Sequence, residues 1–364
     1  MQLSRIRLLQ LLDIGISAPT SRVLANYDNL SENCPGVRTG VGAMAINQAF
    51  CGHGIYAEYG MSAALKRFER YGAAPGSPAP TLDQRIDRFV QAPKDMEIAT
   101  LWLQLFSRTA TKFDSIEPNA SLRRKLLAKL AAADIDWVGW GYCAGYQRER
   151  NKTWIRELRD ELGLTAFVID AEPGNLVVPD PNNPYDEWEE SAFDEFVDHA
   201  RGLFGKNNLA ISTWPVLLLQ EDHNAVRLMQ RVADRVGLFA PQAYWMNHPG
   251  KPHYDQGFKE EDYPKGDPKA FIRLVIDSWR QLDIHNPLAI TGQAYWGEAN
   301  CPPKDKMDAK VDDVATHFTG WDRIVGFNWY HAGGANTDQK GSMSDAMIKS
   351  IAREHLGHKP YQPA

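Results

Sequence analysis

Phe167-Val168-Ile169-Asp170-Ala171-Glu172-Pro173-Gly174 joins an apolar run to two acids spaced i, i+2 and then to a Pro-Gly break. Alternate side chains of a β-strand share a face, so Asp170 and Glu172 point the same way, about 7 Å apart along the strand. Two carboxylates at the end of a buried strand are costly unless one stays protonated or a partner neutralises them. A neutral acid beside an ionised one is the arrangement that protonates a leaving group. In that chemistry Glu172, one step nearer the strand's end, is the general acid, and Asp170 holds its proton or orients a substrate group. The structural alternative is a carboxylate that only accepts bonds from neighbouring tyrosines or a buried arginine.

The elements around this pair have a repeating order. Strand-like runs occur at Ile98–Phe106, Trp137–Cys143, Ala166–Glu172, Leu209–Trp214, Leu238–Trp245, Leu288–Trp296 and Ile324–Tyr330. Segments of helical period lie between them, with apolar faces such as Leu122/Leu126/Leu127/Leu130, Trp154/Ile155/Leu158/Leu162 and Phe193/Phe196/Val197/Ala200. The alternation predicts repeated βα units and an α/β fold of the (β/α) barrel type, with seven or eight parallel strands. The eighth strand is expected near Gly40–Phe50, or is degenerate or absent. An open doubly wound sheet is disfavoured because no Gly-rich phosphate loop is present.

Residues 1–80 read differently. They are rich in Gly, Ala and Ser and end in the Pro/Gly stretch 72–80, which predicts a small helical module and a linker ahead of a barrel spanning 95–364. The N-terminal arginines and leucines are interrupted by Gln10 and Asp13, so an amphipathic helix is expected rather than a signal peptide.

Barrel active sites gather at the C-terminal ends of the strands. Those ends supply Tyr142, Trp214, Gln242, Tyr244, Gln293, Tyr295, Asn328 and Trp329, and two strands share the ending Gln-Ala-Tyr-Trp. Aromatic faces pack on the C–H side of a pyranose, and amides pair with hydroxyl and acetamido groups, so the set predicts a sugar-binding cleft. Tyr244 and Tyr295 are placed to hydrogen-bond the acid pair. Single aromatics at strand ends often only cap a core; the argument rests on their number.

Other classes find little support. A net charge of -6 and the lack of a basic block argue against nucleic acid, and no apolar run approaches the length of a membrane span. Cys34, Cys51, Cys143 and Cys301 show no C-x-x-C spacing, although Cys34 and Cys51 could pair in an exported protein. His248, His253 and Asp255 sit in a Pro/Gly-rich loop and match no compact metal motif. No metal or cofactor is expected, and nothing in the sequence sets the oligomeric state.

On Asp170-Ala-Glu172 and the later Pro241-Gln242-Ala243-Tyr244, the chain resembles barrel glycosidases, particularly the family 25 lysozymes that cleave peptidoglycan. The resemblance implies Glu172 as the catalytic acid and a polysaccharide substrate. Those lysozymes also end their first strand in an aspartate, whereas Ile98–Phe106 ends without an acid. Family 18 chitinases likewise use a strand ending in D-x-E, with the substrate's acetamido group as nucleophile; Phe167 and Val168 interrupt their longer D-x-x-D-x-D-x-E run. Gly54-Ile55-Tyr56 followed by Ala63-Ala64-Leu65-Lys66-Arg67-Phe68 is similar to small helical peptidoglycan-binding modules. Together these imply an endolysin or autolysin layout, cytoplasmic until released to the wall, with chitin or another polysaccharide, or sugar binding without catalysis, as alternatives.

Overall fold

The computed structural model describes residues 46–57, 71–74, 76–107, 120–173, 188–217, 224–244, 268–293 and 324–330. Eight parallel strands close into a barrel: β1 (Gly52–Ala57), β2 (Thr100–Phe106), β3 (Asp136–Tyr142), β4 (Phe167–Asp170), β5 (Leu209–Thr213), β6 (Leu238–Ala243), β7 (Leu288–Gln293) and β8 (Ile324–Tyr330). Each pairs with the next in sequence, and β1 pairs with β8 through Gly52↔Gly326 to Ile55↔Trp329. The described helices are α1 (Leu82–Asp95), α2 (Ala120–Ala132), α3 (Arg148–Leu162), α4 (Glu190–Phe204), α5 (Asn224–Val232) and α6 (Pro268–Gln281).

Alternation along the strands sorts the core into two layers. Ile55, Leu103, Phe167, Ile169, Ile211, Phe239 and Ile290 face outward and pack with Phe89, Leu126, Ile155, Phe193, Phe196 and Val275 of the helices. Tyr56, Trp102, Val138, Trp140, Val168, Ala210, Ala240 and Ala289 form a second cluster that fills the barrel interior. The barrel's floor is closed by a 3-10 turn, Gln48–Phe50, which is tied to the approach to β5 by Asn47 N–H donating to Asn207 O at 2.8 Å. A Cβ on Gly326 would lie 2.6 Å from the carbonyl oxygen of Phe50, so glycine lets this turn seat against β8.

The first strand is not where the sequence places it. It lies at Gly52–Ala57, so Ile98–Phe106 belongs to β2 and the barrel starts well before residue 95. The acid-free end noted above is therefore that of the second strand. The true first strand ends at Ala57 and is followed in the sequence by Glu58, which lies outside the described residues. Gly54, Ile55 and Tyr56, on which the likeness to a wall-binding module rests, are barrel residues. The Pro/Gly stretch 72–80 falls between β1 and β2 and leads into α1, whose start is fixed by a capping box between Thr81 and Gln84. A loop inside a βα unit and a linker between domains have the same composition, which accounts for the difference. The helices expected from Leu122, Trp154 and Phe193 onward are α2, α3 and α4. Residues 1–45 lie outside the described residues.

Cys51, immediately before β1, is disulfide-bonded, whereas Cys143 is a buried free thiol.

Candidate active site

β4 ends at Asp170, but its pairing continues on both sides: Cys143 N–H donates to Asp170 O at 2.7 Å and Ala171 N–H to Ser212 O at 2.9 Å. The extended geometry therefore persists past the strand's formal end. Ala171 packs in the outer layer, so Asp170 before it and Glu172 after it stand at alternate positions of the chain. Asp170 is buried and Glu172 is half-buried. The indole of Trp214 donates to Pro173 O at 3.0 Å and so holds the chain directly after Glu172.

Asp170 is tied to two neighbouring strands. Gln242 Nε2 donates to Asp170 Oδ1 at 2.9 Å and to Ser212 Oγ at 3.1 Å. Ser212 is in register with Asp170 on one side and Ala240 on the other, and Gln242 stands one inward step above Ala240. Opposite them, from β1, comes Tyr56. Its phenol is bonded to Ser212, and the Thr291 hydroxyl lies 3.5 Å from its oxygen. Burial pushes the Tyr56 phenol far above its ordinary pKa, and the nearby Asp170 charge adds to this, so Tyr56 is a neutral hydrogen-bonding group at any working pH.

Aromatic rings surround this group. Tyr56 lies 4.9 Å from Trp102, 5.4 Å from Trp140 and 5.9 Å from Tyr330, centroid to centroid, and Tyr330 lies 5.1 Å from Tyr244. Trp140 is fixed by its indole N–H, which donates to Trp102 O at 2.9 Å. Asn328 lies over Gly54, where a Cβ would collide with its amide, so a glycine in β1 makes room for a polar side chain from β8.

Of the residues read from the sequence, Asp170, Gln242, Tyr142, Tyr244, Gln293 and Asn328 lie on strands or strand ends with inward parity; Tyr142 is in register with Asp170. Gln293 and Asn328 are buried deep in the barrel wall. Trp329 is elsewhere. It is fully buried in the outer layer, where its indole N–H donates to His53 Nε2, because beyond the register shift at Ala289↔Gly326 Phe327 and Trp329 face the helices. Trp214 packs against the same outer layer, since β5 ends at Thr213 and the parity of Ser212 is not carried forward. Tyr295, His248, His253 and Asp255 lie outside the described residues. Sequence reasoning missed Tyr56 and Thr291. The signal for Tyr56 was the alternation in Gly52-His-Gly-Ile-Tyr-Ala57, which the two glycines dilute.

Among the described residues no three His, Cys, Asp or Glu side chains gather as metal ligands, and no helix is long and apolar enough to cross a membrane. The group offers an acid, amides and hydroxyls within an aromatic basket.

No family model matches the chain, and comparison with curated proteins gives no match. Among solved structures it is similar to a broad-specificity endoglucanase from Clostridium longisporum, at 12% identity and a TM-score of 0.50, covering 84% of this chain and 96% of the other. A chitinase from Chromobacterium violaceum matches at 11% identity and a TM-score of 0.49, covering 84% and 98%. A second chitinase, from Pseudoalteromonas aurantia, matches at 12% identity and 0.48, covering 83% and 99%. At 12% identity the endoglucanase likeness establishes the barrel fold alone, and barrels carry many activities, so function must be argued from this chain's own side chains.

Proposed function

We propose that this chain is a glycoside hydrolase cleaving β-1,4 bonds of an aminosugar polymer, with peptidoglycan as the first substrate. The observation that carries the reading is the Asp170–Gln242 bond at a barrel mouth, with Glu172 two residues beyond Asp170 and Tyr56, Trp140, Tyr244 and Tyr330 around it. The rings suit the C–H faces of a sugar, and the amides of Gln242 and Asn328 suit its polar substituents. Glu172 passes its proton to the glycosidic oxygen as the bond to the anomeric carbon breaks. The oxocarbenium-like centre is then taken by water or by the substrate's own acetamido oxygen; water supplies the final hydroxyl and returns a proton to Glu172. Asp170 stabilises the positive charge or orients the acetamido group. A wall polymer lies outside the cytoplasm, in surroundings where a disulfide such as that of Cys51 persists.

The test is incubation with purified peptidoglycan, chitin and other defined glycans, following new reducing ends. Glu172→Gln should lose at least about 10²-fold in rate, on the scale of acid catalysis, while unfolding at the same temperature. Cleavage of chitin alone moves the substrate. Binding that survives loss of both acids, with no new reducing ends, makes the barrel a sugar-binding protein.

A further inference from the structure

We propose that Gln242 is a positioning residue that keeps the Asp170 carboxylate ionised and fixed in direction; its bearing on turnover rests on the glycosidase reading. A carboxylate only accepts hydrogen bonds, so the face of the amide that meets Asp170 must be its NH2 group. That group has two N–H bonds, and both are used, one on Asp170 Oδ1 and one on Ser212 Oγ. Turning the amide over would set Oε1 against a carboxylate oxygen and leave the serine without its donor. Ser212 is itself held by the neutral Tyr56 phenol, which Thr291 approaches from β7. The direction of one amide is thus determined by residues from four other strands.

The inward position below Asp170 on its own strand is Val168, so no second acid on β4 shares its proton. The strand-to-strand amide takes that place with a different consequence. A shared proton would make Asp170 a proton carrier, whereas an N–H donor favours its charged form. Among the described residues the titratable groups around Asp170 are the Tyr56 phenol from β1, Tyr142 in register on β3, Glu172 further along its own chain, Tyr244 beyond β6 and Tyr330 on β8. Burial and the Asp170 charge keep the Tyr56 phenol neutral, and Glu172 is the acid to which the glycosidase reading gives the proton transfer.

The experiment compares wild type with Gln242→Met, Gln242→Glu and Ser212→Ala. It follows the Asp170 carboxyl by 13C NMR titration and, in parallel, the pH profile of glycan cleavage. Methionine keeps the length and bulk but donates nothing. A hydrogen bond to a charged group is worth about one to two pH units, so the Asp170 titration and the acid limb of kcat/KM should rise by that much in Gln242→Met. kcat should fall about tenfold or more with KM nearly unchanged. Gln242→Glu should shift further, because two carboxyls then share a proton. Ser212→Ala, the mildest change, should shift in the same direction by less. A lower melting temperature with the Asp170 titration unmoved makes Gln242 a structural residue and overturns the proposal. A wild-type protein that cleaves no glycan overturns the glycosidase reading, while the NMR titration still decides whether Gln242 governs Asp170.

Discussion

Two layers of the barrel interior, one inward step apart on the same strands, differ in kind. Val168, Ala210, Ala240 and Ala289 fill the lower layer, with Gly326 on β8. Directly above them stand Asp170, Ser212, Gln242, Thr291 and Asn328, all nearly inaccessible to solvent. The lower layer shows what closing this barrel needs: small apolar side chains around the large rings of Trp102 and Trp140. Nothing about closure calls for a buried acid, two amides and two hydroxyls in the next layer up. Burying such groups is unfavourable unless each finds a partner. The upper layer meets that condition for Asp170 through Gln242, and for Gln242 through Ser212. In the upper layer the Asp170–Gln242–Ser212 bonds tie three of the strands together, as a built site requires.

Exchanging the layers is the strongest way to break this comparison. Val168→Asp puts a carboxyl where Trp140 and Ala210 are the in-register neighbours and no donor is arranged for it. An unpaired buried charge costs about 3–5 kcal/mol, a large share of the 5–15 kcal/mol typical of a domain, so denaturant melts should show severe destabilisation or loss of folding. The reverse exchange, Asp170→Val, removes the acid but leaves one buried Gln242 N–H without its acceptor, so it should cost about 1–3 kcal/mol. Glycan cleavage should nevertheless fall by at least about 10²-fold. If Val168→Asp is tolerated, or Asp170→Val leaves glycan cleavage intact, the upper layer is ordinary core.

Parity decided how much of this could be read from the sequence. Seven strands announce themselves as β-branched or aromatic runs, and the D-x-E spacing put Asp170 and Glu172 on one side. β1 escaped because Gly52 and Gly54 thin its apolar pattern, yet Gly54 is glycine for a reason visible only in space: the Asn328 amide lies against it. Tyr56 was hidden with its strand. α1 was unread because its apolar face, Ile86, Phe89 and Val90, is set among Asp, Gln, Arg and Lys and is followed by Pro93. Trp329 was misplaced for a different reason. In Asn328-Trp329-Tyr330 the strand period gives one residue to the outside, and aromatic character alone does not say which. The bond from Gln242 to Asp170 spans 72 residues of sequence, so no local pattern could disclose it.

A polar pair also occurs in the outer layer, and it obeys a different rule. His53 Nε2 accepts from Trp329 Nε1, which leaves its proton on Nδ1, facing Glu97 O at 3.4 Å. Burial lowers its pKa to about 4, against the smaller opposing effect of the Glu97 carbonyl. The outer layer therefore holds a polar side chain in neutral form. As pH falls through about 6.5 the unfolded chain gains a proton that the folded chain refuses until about pH 4, so stability drops across that window and levels below it. The loss is about 3 kcal/mol, and it should vanish from the pH dependence of denaturant melts in His53→Gln. A slope unchanged in that variant would show that His53 is not the group responsible.

The smallest expected effect separates two roles for Trp214. A sugar platform and a brace for the acid would both lower activity when lost, but through different constants. The indole N–H bond to Pro173 O sits directly after Glu172, and the ring packs on the outer core. Trp214→Phe keeps most of the ring and removes the bond, at a cost of about 0.5–1.5 kcal/mol. A brace predicts that kcat falls a few-fold with KM nearly unchanged, because Glu172 is less well placed in the transition state while substrate contacts remain. A platform predicts the opposite, a raised KM at constant kcat. Trp214 packs on the outer core and bonds the chain directly after Glu172, a geometry that favours the first outcome.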